Sequence, residues 1–142
     1  MPIEVFTEEW SRACCERLAG SEEYRRVAGE WDFPVVLVME RDPALGVEEE
    51  RAVYFDLHRG ECQGARLATE DDLSRAPYVM RATPAAWRHL LAGELDPIAA
   101  IMRGSLRLSR GSLLSLARYA GAAKELVKVA SQVEAEFPPP RL

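Results

Sequence analysis

The chain has 142 residues, 48% of them hydrophobic and 29% charged, with a formal net charge of −5. That length and balance predict one domain over residues 1–142 with its own core, and exclude a disordered chain. The acidic total argues against general nucleic-acid binding, and apolar runs such as Val35–Met39 are too short to span a bilayer.

Thr7-Glu8-Glu9 opens a helix, as a cap followed by acidic first-turn residues. Phe6, Trp10, Ala13, Cys14 and Leu18 give it an apolar face, and Gly20 ends it. With Glu4, the same early glutamates interrupt any apolar leader, so the cytoplasm is the expected compartment. Ser21 caps a shorter helix that carries Tyr24, Val27 and Ala28 and stops at Gly29. Over residues 31–41 the period changes to two. Trp31, Phe33, Val35, Leu37 and Met39 share one face, while Val36 and Val38 make the other apolar. Such a strand is expected at the centre of a sheet, with Pro34 outside the ladder or at a bulge.

An acidic loop over 43–50 leads to a second strand, 51–59, with Val53, Phe55 and Leu57 inward and Tyr54, Asp56 and His58 outward. Arg59-Gly60 reads as a hairpin turn into a weaker strand over 62–69, and Asp71-Asp72-Leu73 as a connecting turn. A fourth strand follows over 76–82. Thr83-Pro84 and Asp96-Pro97 start helices over 84–92 and 97–103, with proline in the first turn, where its missing N–H costs least. Ser105-Leu106-Arg107-Leu108-Ser109 is a fifth, alternating strand. The apolar tail is expected to break at Gly121 into helices over 112–119 and 122–136, and Pro138-Pro139-Pro140 ends regular structure. This order predicts an α+β fold with a mixed five-stranded sheet packed by helices.

The chemistry-bearing residues form no catalytic constellation. His58 and His89 have no carboxylate at helical or ligand spacing, and the acidic loop residues read as solvated. Neither Gly104-Ser105 nor Gly111-Ser112 belongs to a nucleophile elbow, and no phosphate-binding or dinucleotide loop occurs. Cys14, Cys15 and Cys62 are odd in number and lack a C-x-x-C spacing, so buried spectator thiols are expected, with no metal site and no cofactor. From Arg103 to Lys128 six positive residues face Glu125 alone, a local net of +5. This is a solvated face or a surface meeting anionic headgroups.

The order Trp87, Gly93, Asp96-Pro97, Ile101-Met102, Gly104, Leu106/Leu108 and Gly111, followed by the apolar tail, resembles the sterol carrier protein (type 2) family. The resemblance implies a non-catalytic carrier of fatty acids, fatty acyl-CoA, phospholipid or sterol-like molecules. It also implies an apolar tunnel between the sheet and the C-terminal helices. Phe55, Met80, Trp87, Ile101, Met102, Leu106, Leu113, Leu116 and Ala117 would form the tunnel wall, with Arg103 or Arg107 near a headgroup. The Pro140-Arg141-Leu142 end, in place of the peroxisomal tripeptide, suggests a bacterial stand-alone member. Two other readings stay open. One is an enzyme acting on a small hydrophobic substrate, which needs a polar pair in the pocket such as Asp56 with His58 or Tyr78. The other is a dimerisation module with a fully packed interior.

Overall fold

The structure, a computed structural model, describes residues 3–140, so the Arg141-Leu142 end lies outside the described residues. Along the chain run β1 (Ile3–Glu4), α1 (Glu8–Ala19), α2 (Glu22–Val27), β2 (Val35–Met39), β3 (Arg51–His58), β4 (Glu61–Leu67), α3 (Glu70–Arg75) and β5 (Tyr78–Ala82). They are followed by α4 (Pro84–Leu91), α5 (Pro97–Arg103), β6 (Arg107–Arg110), α6 (Leu113–Arg118), α7 (Ala120–Ser131) and β7 (Ala135–Glu136).

Five strands make one mixed sheet in the order β4-β3-β2-β5-β6, antiparallel except for the β2–β5 pair. The expected α+β class and five-stranded sheet are therefore what the chain forms. β2 takes the centre because all five of its side chains are apolar and buried. Pro34 sits just before the first ladder pair, Val35 with Phe55, where it withholds no hydrogen bond. Arg59 and Gly60 both adopt positive φ, 47° and 86°, as a two-residue hairpin turn between β3 and β4 requires.

Register then sorts the side chains. Val35, Leu37 and Met39 align with Phe55 and Val53 on one side and with Tyr78, Met80 and Ala82 on the other. Onto this face pack Trp10, Cys14 and Leu18 of α1, Trp87 and Leu90 of α4, and Leu126 and Val129 of α7. The Trp87 indole N–H donates to the Val38 carbonyl at 2.9 Å, which fixes α4 on the central strand. The opposite face buries a smaller cluster of Val36, Val38, Ala76 and Val79, against which Leu73 packs. Leu73 belongs to α3, where a turn is expected from sequence. The helix forms because Thr69 and Asp72 exchange side-chain and backbone hydrogen bonds in a capping box.

Three further differences from the sequence reading have tertiary causes. The tail breaks at Tyr119, whose ring packs edge-on against Trp31 at 5.3 Å, and Gly121 lies inside α7. α7 ends at Ser131 because Ala135–Glu136 pairs in parallel with Ile3–Glu4. Cys15 and Cys62, expected as spectator thiols, form a disulfide with Cα atoms 5.4 Å apart, and this clips α1 to the edge strand β4. Cys14 alone remains free, and burial pushes its thiol up to about 12.

Candidate functional site

The sheet face and the C-terminal helices do not meet everywhere. Between them lies a cavity of about 20 Å³. Val35, Leu57 and Met80 form its floor on β2, β3 and β5, and Tyr24 and Trp31 close one side. Its roof is Leu116 and Tyr119 with Ala122, Ala123 and Leu126 of α7. The two alanines end at Cβ, so the helix cannot fill the space above Leu57 and Met80. No lining residue carries a carboxylate, amine, guanidinium or imidazole. The polar groups are the phenols of Tyr24 and Tyr119 and the Trp31 indole, whose N–H donates to the Phe33 carbonyl at 2.9 Å. Burial pushes the Tyr24 phenol up to about 12, which keeps it a neutral hydroxyl at physiological pH.

A space of this size holds about one water molecule, against the roughly 300–1,000 Å³ of ordinary small-molecule sites. At this place the structure thus shows a small apolar cavity, well below the size of a lipid site. Its roof helix α6 is short, and Leu116 is its one buried residue. Gly111 precedes it with φ of 116°, and a Cβ there would stand 2.4 Å from a Tyr78 ring carbon. Only glycine satisfies both the backbone angle and the close approach.

Of the nine wall residues implied by the resemblance, Met80 and Leu116 border this cavity. Phe55 and Leu106 are fully buried in the core, Phe55 edge-on to Trp10 at 6.3 Å. Trp87 is buried beside Phe6, at 5.0 Å between ring centroids. Ile101 is half-buried and Ala117 is exposed, while Met102 and Leu113 are 76% and 40% exposed. The residues that reasoning from sequence missed, Tyr24, Trp31, Val35, Leu57, Tyr119, Ala122, Ala123 and Leu126, all carry the core periodicity. No signal in the sequence separates those beside a gap from those in solid packing.

Both histidines do find carboxylates, contrary to expectation. His58 Nδ1 lies 2.7 Å from Asp32 and Nε2 2.8 Å from Asp56, and His89 Nδ1 lies 2.8 Å from Glu94. The Asp32 hydrogen bond is the main cause that raises the His58 pKa, with Asp56 adding to it. Asp56 and His58 are the polar pair that the enzyme reading needs, but they stand partly exposed on the face of β3 opposite Leu57 and the cavity. Among the basic residues, Arg107 is paired with Glu40. Arg103, Arg110 and Arg118 carry no ion pair among the described residues.

The fold and site define a small α+β protein with an internal apolar cavity roofed by helices. No protein-family model and no curated protein matches the chain. Among solved structures, a crystal structure of a sterol carrier protein 2 shares 42% identity over 92% of this chain and 99% of that one, with a TM-score of 0.84. A conserved hypothetical protein of Thermus thermophilus, described as a candidate sterol carrier protein, shares 42% identity over 96% and 93%, with a TM-score of 0.83. The apo form of sterol carrier protein 2 from Yarrowia lipolytica shares the fold, at 13% identity over 90% of each chain and a TM-score of 0.59. The chain belongs to the sterol carrier protein 2 family.

Proposed function

We propose that this protein is a non-catalytic carrier of apolar lipids, whether fatty acids, fatty acyl-CoA, phospholipid or sterol-like molecules. The cavity lining carries the reading: apolar and aromatic on every side, without an ionisable acid, base or cation. Such a lining recognises a hydrocarbon chain and leaves a headgroup unread, so selectivity is loose. The two relatives at 42% identity, one a sterol carrier protein 2 and the other a candidate sterol carrier, support the same class of ligand.

Loading requires the cavity to enlarge, and α6 offers the least costly way. Lifting Leu116 out of its site costs about 1.5–3 kcal/mol of apolar burial. A bound chain returns about 0.8 kcal/mol per buried methylene, so roughly ten methylenes contribute about 8 kcal/mol before ordering costs. The balance favours loading by about 5–6.5 kcal/mol before ordering costs, so micromolar affinity calls for a longer chain, nearer about sixteen methylenes. In the opened form the wall starts from Met80 and Leu116. Phe55, Trp87 and Leu106 lie behind it, and Ile101, Met102, Leu113 and Ala117 join only where α5 and α6 move. The reading includes bacterial origin, a single domain and transient contact with an anionic membrane surface. It also places the protein in the cytoplasm, a compartment against which the Cys15–Cys62 disulfide counts. No helix among the described residues is long and apolar enough to cross a membrane. Alkylation of acid-quenched cells tests the compartment, since reducing conditions keep Cys15 and Cys62 as thiols.

The main test is denaturing extraction of the purified protein, lipid mass spectrometry of the extract, and titration with a fluorescent fatty acid. Co-purified lipid or saturable probe binding is expected. An empty extract together with no probe binding at tens of micromolar overturns the proposal.

A further inference from the structure

α6 is apolar on more than one side. Leu116 enters the cavity, yet Leu113 and Leu114 of the same helix are 40% and 82% exposed. A surface helix normally presents its polar face to water, whereas the six-residue α6 turns two leucines outward. A further exposed apolar side chain, Phe33, is joined to the start of α6 through the buried Tyr78. Tyr78 abuts Gly111, two residues before Leu113, and carries on its ring the 40% exposed Phe33, at 5.6 Å. Arg110 and Arg118 bracket the leucines, both exposed and without an ion pair among the described residues. Apolar side chains between free cations match one kind of surface, a bilayer with anionic headgroups over hydrocarbon.

A second copy of this chain fits less well. A twofold pair would bring the Arg110 and Arg118 cations of both copies together around one small contact. A helix of six residues is also only about 9 Å long, too short to supply the ~800 Å² per partner of a stable interface.

We infer that the outer face of α6, through Leu113 and Leu114 between Arg110 and Arg118, docks the protein on anionic membranes, so that the helix that roofs the cavity is the one that enters the bilayer. The inference rests on the carrier reading for its purpose, but the docking is measured separately. Leu114→Glu removes the apolar contact while leaving Leu116 and the cavity lining untouched. Because Leu114 is 82% exposed, its melting temperature should match that of the wild type.

The experiment is flotation with vesicles of phosphatidylcholine alone and of phosphatidylcholine mixed with phosphatidylglycerol, alongside fatty-acid probe binding in vesicle-free buffer. The wild type should float with the mixed vesicles only. Leu114→Glu should bind them about tenfold or more weakly, and Arg110→Gln with Arg118→Gln about thirtyfold more weakly. Leu114→Trp should shift its emission to the blue on adding mixed vesicles. Probe binding in buffer should be equal in wild type and Leu114→Glu. If the wild type binds probe but does not float, docking is wrong and the carrier reading stands. If it floats but neither binds probe nor yields lipid, the carrier reading fails and docking stands. Equal flotation of wild type and Leu114→Glu overturns the inference. So does a dimer in sedimentation equilibrium that Leu114→Glu dissociates, because the face then belongs to a second copy.

Discussion

The cross-link between Cys15 and Cys62 should be a large contributor to stability, and its size can be worked from the chain. The bond spans 47 residues and holds α1 against β4, an edge strand with no fully buried side chain of its own. Closing a loop of that length removes unfolded-state entropy worth about 4 kcal/mol at 25 °C. For 142 residues the melting entropy is about 300 cal/mol/K, so losing the cross-link should lower the melting temperature by about 13 °C. Differential scanning calorimetry on wild type with and without a phosphine reductant, and on the Cys15→Ser/Cys62→Ser double variant, measures this directly. Reduced wild type and the double variant should melt together, well below the oxidised protein. Iodoacetamide should leave Cys14 unmodified until the protein unfolds, since the thiol is buried and stays protonated at neutral pH. A difference below about 3 °C between oxidised and reduced protein would refute the loop-entropy reasoning.

Replacing Gly111 by alanine forces a Cβ into Tyr78 at a positive φ and should cost about 1–3 kcal/mol, read as a lower urea midpoint with unchanged slope. A change under about 0.5 kcal/mol would deny the close approach. Trp87→Phe removes the indole donor to the Val38 carbonyl and should destabilise by about 1–3 kcal/mol, so an unchanged urea midpoint would show the bond to be inconsequential. His58 is held as the imidazolium chiefly by Asp32, so its pKa is raised. Its contribution is then complete below its unfolded value of about 6.5 and is lost as pH climbs through the raised folded value. The melting-temperature gap between wild type and His58→Gln should therefore be widest near about pH 6 and close towards about pH 9. An NMR titration of the ring with a midpoint at or below about 6.5 would contradict this.

Local chemistry was readable wherever the cause itself was local. The doubly apolar run of β2 declares a central strand, and Arg59-Gly60 declares its turn. Thr83 and Asp96 cap their helices as the Thr-Pro and Asp-Pro pairs announce, accepting from the Ala86 and Ala99 backbone N–H groups at 3.1 Å. What stayed hidden depends on where distant elements land. Asp32 reaches His58 across 26 residues, and Cys15 reaches Cys62 only because α1 lies on β4. The cavity is the sharpest case. Leu57 and Met80 alternate inward like their neighbours, and Ala122 and Ala123 follow the helical period. Only the docking of α7 decides that two small residues face two floor residues and leave space between. Two-residue strands such as β1 and β7 are too short to show any period at all.

That small pairing sets how the molecule bears a pull. Ile3 and Glu4 run beside Ala135 and Glu136 in the same direction, with the Val5 N–H donating to the Glu136 carbonyl at 3.0 Å. Arg51 of the main sheet clasps the first of these strands through the Val5 carbonyl at 3.1 Å and the Glu4 carboxylate at 2.9 Å. Tension drawn along the chain from both sides therefore slides the two strands lengthwise past each other, straining their bonds together rather than unzipping them in turn. The clasp gives way first, and the five-stranded sheet carries load only after it has parted.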